Sequence, residues 1–94
     1  MHELKELETA LKFIEDNSHY YSGFRHVVET CIVATELKKA LWNCGEITDE
    51  EMSAISRRIE FARKAAIDTH KEWVVKMLKH SETQHTVQSL CAKV

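Results

Sequence analysis

The chain has 94 residues, a formal net charge of −2 at pH 7, three cysteines and no proline. This length suits one small domain, and the slightly acidic balance excludes a general nucleic-acid coat protein, which would be strongly basic. The odd number of cysteines favours a reduced compartment, and no signal-peptide core or long apolar span is visible. We therefore expect a cytoplasmic protein with neither a membrane nor a DNA partner.

The first predicted element is a short amphipathic helix over residues 3–16. Its apolar side chains recur at spacings of three and four, which places them on one helical face, while glutamates and lysines cover the other side. Asn17 and Ser18 mark the predicted end of this helix. The apolar face consists of Leu4, Leu7, Leu11 and Ile14.

The second predicted helix covers residues 24–43 and is unusually apolar. A surface helix of a monomer needs an apolar stripe of about 100°, and here the stripe exceeds half the circumference. We therefore predict a homo-oligomer that is dimer-based, with a hexamer as one such assembly. The polar residues occupy one narrow arc: Arg25, Glu29, Glu36, Lys39 and Asn43.

The third predicted helix covers residues 49–80. Thr48 and Glu51 have the capping-box spacing at its start, and Gly45 suits the left-handed cap that ends the preceding helix. The tail, 81–94, is predicted to be either a fourth short helix or an extension of the third. The fold class predicted for the single domain 1–94 is all-α, with a short N-terminal helix and a long antiparallel helical hairpin in an oligomeric bundle.

No metal site, cofactor or catalytic centre is predicted. His80, His85 and Cys91 are separated by four and five residues, which matches no zinc-binding frame. His26 and Glu29 have the spacing of half a di-iron site, but matching pairs on other helices are missing. Because the chain also lacks a glycine-rich phosphate loop and a nucleophile motif, we expect that it is not an enzyme.

The segment "NSHYYSGFRHVV", residues 17–28, combines aromatic, basic and glycine residues between two helices. Aromatic rings stack on nucleobases, arginine pairs with phosphate, and glycine permits close approach to the backbone. The alternative is that the rings simply close one end of a small core. The candidate ligand-binding residues in this segment are Tyr20, Tyr21, Phe24, Arg25 and His26.

A basic cluster on the third predicted helix supplies two further candidates. Arg57, Arg58, Arg63 and Lys64 lie within two helical turns. Such a cluster is commonly a solvated face, but copies arranged around an axis would add their positive potentials and favour an anion. Arg57 and Arg58 are therefore included as candidate phosphate-binding residues.

Four motifs resemble small helical phage proteins that counter the bacterial CBASS defence. In order they are "SHYYSG", "ELKKALWNCG", "ITDEE" and "AISRRIEFARKAAI", over roughly residues 18–67. The resemblance implies an oligomer that sequesters cyclic di- or trinucleotide second messengers without cleaving them. It also implies immune evasion by a phage in the cytoplasm of an infected bacterium.

The resemblance further implies that an aromatic residue stacks on a base and that basic residues of the long helices hold phosphates. It assigns the first role to Tyr20 or Tyr21. The second role falls to Arg25, Arg57 and Arg58. One departure concerns the basic residue expected about ten positions before the corner cysteine, where this chain reads "VATE".

A second hypothesis belongs to a different class. The chain would be a phage protein-interaction inhibitor of a host defence or restriction protein. In this case the apolar excess of the second helix would dock on the host protein and not on further copies of the chain.

Overall fold

The computed structural model describes the backbone of residues 2–93 and the side chains of residues 3–79. It contains three α-helices, and this described part has no strand. The helices are α1 (His2–Asn17), α2 (Phe24–Asn43) and α3 (Asp49–Lys93), with a 3₁₀ turn at Tyr21–Gly23 before α2. The predicted all-α class is therefore confirmed.

The three helices pack together around one apolar core. The face predicted for α1 is largely correct, because Leu7, Leu11 and Ile14 are fully buried, whereas Leu4 lies at its exposed edge. α2 and α3 contribute mainly small and β-branched side chains to this core. The buried apolar residues are Leu7, Ala10, Leu11, Ile14, Val27, Cys31, Ala34, Leu41, Ile47, Ile59, Ala62 and Ala66.

The corner between α2 and α3 is closed by local hydrogen bonds. Gly45 has φ +78°, a left-handed conformation that costs a residue with a Cβ more than it costs glycine. The Thr48 N–H donates to Glu51 Oε1 at 2.9 Å, and the Glu51 N–H donates to Thr48 Oγ1 at 3.1 Å. Trp42 Nε1 also donates to Asp49 Oδ1 at 2.6 Å across the corner. The predicted cap and capping box are confirmed.

α3 is longer than the sequence predicted. Of the two alternatives predicted for the tail, the structure shows the extension, because the helix continues past residue 80 to Lys93. The physical reason is that segment 81–93 contains neither glycine nor proline, and its serine, threonine and glutamine residues are only weakly unfavourable in a helix. The described molecule is accordingly elongated, with extents of 60 × 23 × 19 Å.

Polar contacts join the helices at several levels. Lys38 Nζ on α2 donates to Ser56 Oγ on α3 at 2.9 Å. Arg58 on α3 donates to both carboxylate oxygens of Glu15 on α1, at 2.8 and 2.9 Å. Arg58 also lies 3.4 Å from an oxygen of Glu8. Among the described residues, no helix has the length and apolar character that a transmembrane span requires.

Candidate ligand-binding corner

Four aromatic rings form a stack that joins the 3₁₀ turn, the start of α2 and the middle of α3. Tyr21 lies on Trp73, with ring centroids 5.6 Å apart and planes 11° from parallel. Trp73 is followed by His70 at 5.9 Å, and His70 by Phe24 at 4.1 Å. Stacking of near-parallel aromatic rings is favourable. We call these four residues the aromatic stack.

The rings of the corner differ in their exposure. Phe24 is half-buried and packs against the hydrophobic core, as expected of a ring that closes the end of a core. Tyr20 and Tyr21 are 63% and 57% exposed. Closing the end of the core therefore explains the position of Phe24. It does not explain the two tyrosines, because a ring that closes a core gains free energy by being buried, and these two rings are mostly exposed.

Two predicted site residues, Arg25 and His26, follow Phe24 in the first turn of α2. Arg25 is exposed, and its Nε lies 3.5 Å from an oxygen of Glu29. Exposed pairs of this kind contribute little free energy, so Arg25 can exchange Glu29 for another anion at small cost. His26 is also exposed. Tyr20, Tyr21, Arg25 and His26 are thus all exposed in the segment that contains the 3₁₀ turn and the start of α2.

Arg57 and Arg58 lie away from this corner within one chain. Arg58 precedes Trp73 by fifteen positions on a continuous helix, which corresponds to about 22 Å along the axis. Its guanidinium is held by Glu15 and Glu8, and its hydrogen bonds to Glu15 lower the pKa of that carboxyl. The adjacent Arg57 is exposed. A single chain therefore does not bring Arg57 or Arg58 to the predicted base-stacking residues, and Arg25 is the one predicted phosphate-binding residue at the corner.

The sequence interpretation missed His70 and Trp73 as members of the corner. Both lie on α3 three positions apart, a spacing that places side chains on the same helical face. Trp73 was predicted only as part of the apolar stripe. The spacing indicated that the two rings are neighbours, but their contact with Tyr21 and Phe24 is tertiary and has no local sequence signal.

A groove between α2 and α3 lies apart from the stack. Its floor includes Cys31 and Ile59, which are buried, and Ile32 on its rim is 61% exposed. Burial raises the pKa of the Cys31 thiol, which suits a packing residue better than a nucleophile. The α2–α3 groove has a volume of about 470 Å³ and is lined by Val28, Cys31, Ile32, Thr35, Glu36, Ile59, Glu60 and Arg63.

Among the side chains of residues 3–79, no group of three or more histidine, cysteine, aspartate or glutamate residues is placed to hold a metal ion. The possible ligands His80, His85 and Cys91 lie outside the described side chains.

Comparison of the chain with protein-family models, with curated proteins and with solved structures finds no match.

Proposed function

We propose that this chain binds cyclic di- or trinucleotides without cleaving them and thereby blocks a bacterial antiphage signalling system. The observation that carries the proposal is the Tyr21 ring, which lies nearly parallel to Trp73 at a centroid separation of 5.6 Å and remains more than half exposed. A nucleobase gains about 1–3 kcal/mol by stacking on such a ring. The phage origin and the cytoplasm of an infected bacterium as its location belong to the same proposal and follow from the resemblance in the sequence.

A base should bind this corner more tightly than it would bind two exposed tyrosines that have no neighbouring ring. Because Tyr21 stacks beside Trp73, the ring loses less rotamer freedom when a base covers its exposed surface. Arg25 and His26 provide hydrogen-bond donors nearby, and a guanidinium fork matches the oxygens of a phosphodiester. The ligand class is therefore one in which a flat base is attached to phosphate.

We propose further that the working form is a homo-oligomer. Phosphate contacts from Arg57 would have to come from a second copy, because the arginine of the same chain lies more than four helical turns from Trp73. Arg58 could contribute only by leaving Glu15 and Glu8. Exposed apolar side chains on α2, notably Ile32 and Val33, support contact between copies.

An antiparallel arrangement of α2 and α3 is part of this proposal. Trp42 contacts Asp49 near the corner, and Lys38 contacts Ser56. Phe24 at the start of α2 contacts His70, much farther along α3. As the contacts move along α3 away from the corner, they move along α2 toward its start. This order is the one expected of an antiparallel hairpin. This arrangement brings the start of α2 to the middle of α3, where the stack forms.

Calorimetry with a panel of cyclic di- and trinucleotides tests the proposal. At least one member is expected to bind the unmodified chain, and Tyr21→Ala should weaken that binding about tenfold or more through lost stacking. Phe61→Ala is the matched control, since Phe61 is a 78% exposed aromatic outside the stack. No binding tighter than about millimolar affinity by any member would refute the proposal. Recovery of linear fragments in place of intact ligand would indicate a nuclease.

A second candidate function is inhibition of a host defence or restriction protein by direct docking. It is favoured by the exposure of large apolar side chains on α2, Ile32 and Val33. Sedimentation separates the two candidates. A monodisperse monomer that fails to bind nucleotides and captures a host protein through this surface favours docking.

A further inference from the structure

His70 is stacked with two other rings of the aromatic stack. Its ring centroid lies 4.1 Å from that of Phe24, with the planes 13° apart, and 5.9 Å from that of Trp73, with the planes 28° apart. Phe24 packs against the core, and Trp73 stacks with the exposed Tyr21. His70 therefore joins the core to the exposed end of the stack, and it is the member of the stack that becomes positively charged on protonation.

Protonation of His70 adds an attraction to both of these ring contacts. A cation within about 6 Å of an aromatic centroid is attracted by the negative face of the ring, and tryptophan is the strongest partner of this kind. The distances to Phe24 and Trp73 both meet this condition. Because His70 is half-buried, its charged ring keeps part of its hydration while it gains both interactions.

The charged groups on the surrounding elements do not oppose this attraction strongly. On α3, the residues one turn before and after His70 are all uncharged: Ala66, Ile67, Trp73 and Val74. Its sequence neighbours Lys71 and Glu72 are exposed and of opposite charge. Besides the Tyr21 phenol, the titratable or charged groups near the 3₁₀ turn on α1 and α2 are exposed: Asp16, His19, Arg25, His26 and Glu29. Solvent and salt screen exposed charges, so the two rings dominate the surroundings of the imidazole.

From this geometry we infer that the aromatic stack is a pH-sensitive contact between α2 and α3, which His70 strengthens when it is protonated. Histidine side chains change their charge between about pH 5 and 8. The added stability is therefore present in mild acid and is lost as the pH rises through this range. Because Tyr21 lies at the exposed end of the stack, the same proton stabilises the position of the exposed ring. The inference concerns the free chain and does not require a bound nucleotide.

Urea unfolding of the full chain at about pH 5.5 and about pH 8 tests the inference. His70→Phe keeps a flat ring in the stack but cannot take up a proton. The ratio of the folding equilibrium constants, unmodified chain over variant, should rise about fivefold when the pH is lowered from the higher value to the lower. His26→Phe makes the same change at an exposed histidine in the first turn of α2, and its ratio should stay the same at both pH values.

A second variant keeps the test decisive if the larger phenylalanine ring disturbs the corner. His70→Gln has a polar side chain that takes up no proton, and it should show the same change in the ratio with an unchanged helical circular dichroism spectrum. A ratio that does not change for either His70 variant would overturn the inference, as would an equal change for His26→Phe. A ratio that falls in acid would also overturn it, because the cost of burying the charge would then exceed the attraction of the rings. Nucleotide titration is a separate measurement, so its failure would refute the proposed function and leave this result standing.

Discussion

Replacing Arg58 with glutamine removes the strongest polar contact between α1 and α3. Arg58 donates two hydrogen bonds to Glu15 at 2.8 and 2.9 Å and lies 3.4 Å from Glu8. The Arg58 and Glu15 side chains are 36% and 40% exposed, so solvent screens the pair and its contribution is that of a good surface ion pair, about 1 kcal/mol. For a domain of this size, such a loss lowers Tm by about 4–8 °C.

The effect of Arg58→Gln should depend on pH in a defined direction. Hydrogen bonds from Arg58 hold the pKa of Glu15 below its ordinary value of 4.5. A carboxyl whose pKa is lowered in the folded state stabilises the fold at pH values above its ordinary pKa. This contribution to stability is lost as the pH falls through the lowered pKa. The difference in Tm between the two proteins should therefore be largest near neutral pH and shrink in acid.

Thermal melts of both proteins at several pH values measure this difference. Arg57→Gln is the control, because it makes the same change at the adjacent exposed position and should move Tm little. Glu15→Gln combined with Arg58→Gln completes a double-mutant cycle that isolates the pair. Equal melting of the Arg57 and Arg58 variants at neutral pH would refute the reasoning, as would a difference that grows in acid.

Three further predictions concern stability and are measured by urea unfolding. Gly45→Ala should cost about 1 kcal/mol because φ is +78°, whereas Gly23→Ala should be nearly neutral, since its added Cβ meets only Asn17 atoms at 3.7 Å or more. Equal losses of stability in the two glycine variants would contradict this difference in backbone conformation. Thr48→Ala should cost about 0.5–2 kcal/mol through loss of the capping box, and an unchanged midpoint would contradict it. Leu11→Ala should cost about 2–5 kcal/mol because the side chain is fully buried, and a smaller cost than any of these surface changes would disprove the core assignment.

Local patterns were sufficient to predict most of the helix boundaries. Gly45 and the pair Thr48 and Glu51 act through contacts within a few residues, so their spacing in the sequence carries the information directly. The end of α3 was left open between a fourth helix and an extension of the third, and the helix continues to Lys93. The weak helix preferences of the polar residues in the tail could not decide between the two. The bounds of α2, 24–43, agree with the structure.

The site was only partly predictable for a related reason. Tyr21 was identified by its residue type, but its stacking partner Trp73 lies more than fifty positions away, and no local signal pairs them. Arg58 was interpreted as a phosphate ligand. Its acidic partners Glu15 and Glu8 lie 43 and 50 positions away in the sequence, so no local pattern indicated these contacts. Contacts of this range depend on how the helices pack, which single-chain periodicity does not specify. Base binding and assembly stay predictions.

Trp73 offers the most direct test of the central claim, that a nucleobase stacks on the aromatic corner. Trp42→Phe leaves Trp73 as the only tryptophan, since the chain has two. Titration of this variant with cyclic di- and trinucleotides should change Trp73 emission in a saturable way. The reciprocal variant, Trp73→Phe, keeps Trp42 at the opposite end of α2 as a reporter that should not respond. No saturable change at Trp73 with any ligand, or an equal change at Trp42, would contradict the account.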